Sequence, residues 1–174
     1  MALKEAHGNA VWTEWEPGAA HNDTKTLEIW KTRLDREIGL HKYVQFLFYE
    51  QWTALKAYCR KQGIYIIGDL PLYVAHDSAE VWSRPDLFQL DNTGRPFVIA
   101  GVPPDYFSST GQRWGNPIYR WDRMAENGYT WWIERFRLNF TLFDILRIDH
   151  FRGFEAYWEV PAAEKTEVNG HWVK

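Results

Sequence analysis

The stretch Leu142–Trp158, "LFDILRIDHFRGFEAYW", runs Phe143, Ile145, Leu146 and Ile148 through what reads as a buried β-strand. It then delivers Arg147, Asp149 and His150 almost together at the strand's exit. Charges are costly to desolvate unless something pairs or uses them, so this exit is where chemistry is to be sought. Side chains alternate along a strand, so Arg147 and Asp149 share one face while Ile148 turns to the other. A guanidinium beside a carboxylate favours the ionised form and fixes its orientation. Asp144 stands at the opposite end of the strand. In parallel α/β folds the carboxyl ends of strands gather ligands and catalytic groups while the amino ends serve stability, so Asp144 reads as structural.

Upstream, the pattern alternates. Leu27, Trp30, Leu34 and Ile38 recur at helical spacing, which predicts a helix from about Thr26 to Gly39. Val44, Phe48, Trp52, Leu55 and Cys59 predict a stronger one from about His41 to Gln62, ended by Gly63. The run "IYIIGDLP" is too short for a helix and reads as a strand closed by Pro71, with Asp69 at its carboxyl end. Asp77, with Glu80 three residues on, suits the N-cap of a short helix. "LFQLDNTGRPFVI" suggests two short strands around a turn at Asn92 to Gly94. "AGVPPDYFSSTGQRWGNPIYRW" has no period and reads as a long irregular loop, which in a compact domain is more often functional than idle. A helix from about Tyr129 to Leu142 precedes the opening strand. Helix, strand, excursion, helix, strand indicates βα units feeding a parallel sheet in a single domain.

The chain has 174 residues, one sizeable core's worth. Its formal net charge is -3, with no basic run, which argues against a nucleic-acid partner. The lone Cys59 cannot staple its own chain, so a reducing, cytoplasmic setting is the simpler expectation. No stretch approaches the roughly 20 apolar residues of a membrane span. The unusual feature is 11 Trp within 17% aromatic residues. Trp fills cores, and its flat face also stacks on sugar rings. His76 and Asp77 lack a metal ligand set, so no metal or other cofactor is expected.

An ionised, oriented carboxylate is what a retaining glycosidase uses as nucleophile, with a second carboxyl group about 5 to 5.5 Å away. An Arg–Asp pair tying two loops together fits Arg147 and Asp149 equally well. Three longer stretches carry more information. "IIGDLPLYVAHDSAEVW", "AGVPPDYFSSTGQRWGNPIYRW" and "LRIDHFRGFEAYWEVPA" resemble the 4-α-glucanotransferases of glycoside hydrolase family 77, the amylomaltases or disproportionating enzymes of the α-amylase superfamily. The likeness extends over nearly the whole chain.

The resemblance implies an α/β fold that is part of a TIM (β/α)8 barrel: about two barrel strands with their helices and a long inserted loop region. It implies that Asp149 is the nucleophile, that Arg147 holds it, and that His150 contacts the sugar ring. Asp69 matches a donor-side sugar residue and Trp114 an aromatic on a loop beside the glucan. Without the family, His150 could be satisfied by a backbone group and Trp114 could be loop packing. Glu155 and Glu159 match no acid/base residue, and no role is assigned to Tyr106 or Asn116. The family's acid/base glutamate and a third carboxylate come from later strands, so residues 1–174 are expected to be an internal fragment. The implied substrates are α-1,4-glucans and malto-oligosaccharides. A hydrolase of the same superfamily and a non-catalytic glucan-binding fragment are the competing readings.

Overall fold

In the computed structural model, which describes residues 1–174, the elements in chain order are α1 Ala2–Ala6, α2 Pro17–Ala20, α3 Thr24–Arg33, α4 Asp35–Lys61, β1 Ile67–Pro71, α5 Ala79–Ser83, β2 Val98–Val102, β3 Gln112–Pro117, α6 Trp121–Glu126, α7 Thr130–Leu142, β4 Ile145–Asp149, β5 Tyr157–Pro161 and β6 His171–Val173. They form two compact units: Met1–Gly68 with Glu134–Arg147, and Asp69–Ile133 with Ile148–Lys174. No helix is long and apolar enough to cross a membrane.

Both expected long helices exist, but the break between them falls at Leu34, and Gly39 lies inside α4. A glycine there costs about 1 kcal/mol relative to alanine and does not stop a helix of this length. α4 ends as its sequence predicts. Gly63 takes φ +73° and the Ile64 amide donates to the Cys59 carbonyl at 2.9 Å, a glycine-terminated helix end.

In the first unit, Asp144 organises the approach to β4. Its carboxylate accepts from Arg60 Nε at 3.0 Å, from Arg60 Nη2 at 2.7 Å and from the Ile66 amide at 3.1 Å. Lys56 Nζ lies 3.7 Å away and also donates to the Phe143 carbonyl at 3.0 Å. The Ile66 amide, then Arg60 and Lys56, hold the Asp144 carboxyl below the ordinary aspartate range. A lowered folded value means stability that is present above the unfolded pKa and lost as pH falls through the folded one. Asp144→Asn in the full-length protein should therefore lower Tm at pH 7, with the gap to the parent closing below about pH 4. A gap of the same size at both pH values would assign the effect to shape and not to charge.

The strand read as buried is not. Ile145 is 49% exposed, and Leu146 and Ile148 are half-buried. β4 pairs with β1 in a sheet of only two strands, too few to cover its own faces. α4 likewise has no buried residue, and Val44, Phe48 and Leu55 of its apolar stripe are exposed.

The second unit departs most from expectation. Its sheet is antiparallel, in the order β3-β2-β5-β6, and contains neither of the two strands, β1 and β4, expected to feed a parallel sheet. The stretch read as one irregular loop contributes the end of β2 and all of β3, while Val98 and Ile99 of β2 fall in the second short strand expected before it; β2 and β3 pair with a bulge where Ile99 faces Pro117 and Gly101 faces Arg113. Glycine, proline and aromatic residues hid β3 because a bulged pair has no strict alternation. Leu90 and Pro96 form only an isolated bridge around the turn expected at Asn92 to Gly94. Ser78, not Asp77, caps α5, its hydroxyl accepting from the Val81 amide at 3.3 Å. The core is built from Val81, Phe88, Ile118, Tyr119, Met124 and Val160.

Candidate functional site

β4 ends at Asp149, as its sequence predicts, and Arg147 and Asp149 both fall on its exposed positions. Asp69 does not end its strand. It is the middle residue of β1, exposed, because the pairing continues through Leu70 to Pro71; proline is admitted at such a terminal position because only its own N–H is missing.

The chain turns sharply after Asp149. His150 takes φ 53° and ψ 43°, the left-handed region, and its carbonyl accepts from the Gly153 amide at 2.9 Å to open the tight turn Phe151–Phe154. For a residue with a side chain this conformation costs on the order of 1–2 kcal/mol. The turn also requires Gly153: a Cβ there would overlap the Leu72 side chain and stand 3.2 Å from His150 Cδ2.

The imidazole of His150 points its Nε2 into a buried position with no hydrogen-bond partner. Burial lowers its pKa; Asp149 opposes the shift and Arg152 adds to it. The ring is accordingly neutral at pH 7 and can accept or donate at one nitrogen. Its neighbour is Trp114 of β3, edge-on with ring centroids 4.8 Å apart. Tyr73 completes the group, 6.2 Å from Trp114 and 6.4 Å from His150, and stacks at 5.9 Å on Tyr119.

Two hydrogen bonds hold the segment Leu72–Val74 against β3, which carries Trp114, and the residues just after it. Tyr119 Oη donates to the Leu72 carbonyl at 2.7 Å, and Asn116 Nδ2 donates to the Val74 carbonyl at 2.9 Å. Asn116 thus has a positioning role that sequence reasoning did not assign. Tyr73 was missed because an aromatic inside "LPLYVA" reads as core, and it is indeed buried. Between β2 and β3 the chain projects Tyr106 and Phe107, 96% and 88% exposed, their rings edge-on at 5.6 Å. Asp105 shapes this tip by accepting from the Phe107 and Ser108 amides.

Other singled-out residues are engaged elsewhere. His76 Nε2 donates to the Gly94 carbonyl at 2.8 Å. Glu155 pairs with Lys174 at 3.3 Å. Burial pushes the Glu159 carboxyl up, and the nearby His171 opposes the shift. The unit therefore offers an exposed carboxylate at a strand end, followed directly by a neutral imidazole packed against two aromatic rings. That combination suits a ligand with hydroxyls on its edge and apolar faces, and a sugar ring is such a ligand.

Comparison with known proteins places the chain. The sequence signature of the 4-alpha-glucanotransferases, glycoside hydrolase family 77, matches residues 1–174. A 4-alpha-glucanotransferase of Thermus thermophilus is 55% identical over 174 residues, covering 100% of this chain and 35% of that protein. One from Synechocystis sp. is 53% identical over 173 residues, covering 99% of this chain and 34% of that protein. The structure of amylomaltase from Streptococcus agalactiae in complex with acarbose superposes with a TM-score of 0.96 at 45% identity, covering 99% of this chain and 35% of that one. The chain thus spans about a third of the length of these relatives, and by its sequence and its fold it belongs to the 4-alpha-glucanotransferase family, glycoside hydrolase family 77.

Proposed function

We propose that the protein containing this chain transfers segments of α-1,4-glucan to an acceptor sugar by retaining double displacement, with Asp149 as nucleophile. The observation that carries the reading is the strand end itself. Asp149 is followed by a histidine held in a costly left-handed conformation with an unpaired buried Nε2 beside Trp114. Backbone strain of this kind persists where surrounding structure enforces it, and it concentrates at functional sites.

In the proposed reaction the Asp149 carboxylate attacks the anomeric carbon and forms a glycosyl-enzyme bond as the leaving oxygen takes a proton. The acid that supplies this proton is a glutamate from the two thirds of the relatives' length that this chain does not cover; a further carboxylate from there stabilises the transition state. An acceptor hydroxyl then attacks the same carbon, returning its proton to that glutamate and freeing Asp149. Arg147, two residues earlier on the same strand face, orients the nucleophile. His150 and Asp69 hydrogen-bond sugar hydroxyls, and Trp114 stacks on the glucan. The tip carrying Tyr106 and Phe107 shelters the acceptor from water. In this reading β1 and β4 are two strands of a TIM barrel whose other strands lie in the remaining length.

Incubating the full-length protein with maltotriose tests the reading. Longer oligosaccharides appearing together with glucose support transfer; maltose and glucose alone would make the protein a hydrolase. The 174-residue chain by itself should release no glucose from maltotriose above a buffer control, because in this reading the acid comes from the part of the relatives' length that the chain does not cover. It should also associate, given the apolar side chains exposed on α4. Glucose release by the isolated chain would overturn the assignment of the acid to another segment.

A further inference from the structure

Glu167 is the one carboxylate buried completely, and nothing in the proposed reaction uses it. It opens the tight turn Glu167–Asn169 between β5 and β6. Its amide donates to the Thr110 carbonyl at 3.1 Å, and its own carbonyl accepts from Trp158 Nε1 at 3.0 Å. The carboxyl group sits in a cradle made by two glycines. A Cβ on Gly101 of β2 would overlap Glu167 Oε2, and one on Gly111 would stand 2.7 Å from Glu167 Cβ. Gly111 also needs its φ of +75°, which a side chain would resist. Arg113 of β3 faces the cradle, Nη1 3.7 Å from Glu167 Oε1, while its Nη2 donates to the Ala162 carbonyl at 2.9 Å. Burial pushes the Glu167 carboxyl up, and the Arg113 charge opposes it.

These contacts converge on the hairpin. Thr110, Gly111 and Arg113 lie between the exposed tip at Tyr106–Phe107 and Trp114: Thr110 meets the Glu167 main chain, Gly111 leaves room beside its Cβ, and Arg113 stands 3.7 Å from a carboxyl whose two buried oxygens have no hydrogen-bond partner. We propose that Glu167 is a positioning residue of the glucan site: its buried side chain latches the segment after β5 to the β2–β3 hairpin and so fixes both Trp114 and the aromatic tip. The proposal rests on the glucan reading of that site. A fixed tip keeps water from the glycosyl-enzyme bond while an acceptor sugar enters, so the latch sets the partition between transfer and hydrolysis.

The test uses the full-length protein with three substitutions. Glu167→Ala empties the cradle, Glu167→Asp withdraws the carboxyl by one methylene, and Glu167→Gln keeps the shape without the charge. Amide hydrogen exchange of residues 103–116 should speed up at least tenfold in the Ala and Asp variants relative to the parent, with β5 unchanged. In maltotriose assays with added glucose the same two variants should raise the KM for acceptor glucose and the share of hydrolysis several-fold, and the KM for maltotriose should rise with the loosened Trp114. Glu167→Gln should return both readouts to within about twofold of the parent. Should Glu167→Ala fail to fold, the Asp variant decides. Unchanged exchange in the hairpin, a Gln variant as loose as the Asp variant, or loosening without a shift in partition would each overturn the proposal. A parent protein that makes no longer oligosaccharides would remove the glucan reading, and the exchange data would still judge the latch.

Discussion

Asp149→Asn in the full-length protein should reduce glucan transfer by a factor on the order of 10⁴ to 10⁶, the range seen when a covalent nucleophile is removed from an otherwise intact site. The amide matches the carboxylate in shape but is a poor nucleophile. Asp149 is exposed at the end of β4, so the change leaves no buried cavity and no stranded core charge. Glucan binding should persist at close to the parent affinity. A fluorinated glucosyl donor that traps the glycosyl-enzyme should add one sugar mass to the parent and none to the variant. Asp144→Asn provides the control. It weakens the bonds to Arg60 and to the Ile66 amide at the other end of the strand, so stability falls, yet the folded fraction should label normally. Labelling of the Asp149→Asn variant would mean that Arg147 and Asp149 are an ion pair and nothing more.

Trp114→Ala should have the second-largest effect, about tenfold on KM for malto-oligosaccharides, equivalent to ~1.4 kcal/mol of binding. It should also raise the share of hydrolysis. Two losses add here. The flat face offered to the glucan disappears, and the edge-on contact that packs His150 at 4.8 Å goes with it. A released imidazole reaches water, so its lowered pKa should return toward the ordinary histidine value. The acid limb of the kcat/KM profile should move upward accordingly. Measuring transfer and hydrolysis products from maltotriose across about pH 5 to 8, the range in which histidine titrates, checks both effects; an unchanged ratio at every pH would make Trp114 a packing residue only.

The sequence foretold some of this and concealed the rest, for definite physical reasons. α4, β1, α7 and β4 were legible because apolar period, glycine and proline mark them locally. Asp149 at the end of β4 followed from the same logic, and Asp144 as an anchor followed from being at the other end. The start of β2 was legible in the second short strand expected from "LFQLDNTGRPFVI", but β3 was not: its pairing with β2 across a bulge lacks the strict alternation that local pattern reveals. Asp69 was placed at a strand end because Pro71 was read as a stop, whereas the strand includes it. Burial was overestimated for Ile145 and for the stripe on α4, since apolar spacing says which face seeks cover and not what supplies it. Tyr73 and Glu167 carried no signal of their own. One reads as core, the other as a surface charge, and only the folded neighbours Trp114 and Gly101 give them meaning.

The first compact unit is discontinuous in sequence, Met1–Gly68 being completed by Glu134–Arg147. During translation α4 therefore emerges well before Asp144 exists to receive Arg60 and the Ile66 amide. The intervening segment is about 65 residues, which a ribosome adds in about 3–13 s at typical elongation speeds of about 5–20 residues per second. For that interval Trp52 of α4 lacks the Leu142 carbonyl and the Phe143 ring that it meets in the completed unit, long enough for a chaperone that recognises apolar helices to bind. The order of synthesis thus makes the nascent chain most vulnerable at the ribosome exit, before either the Asp144 anchor or the Asp149 strand end has been made.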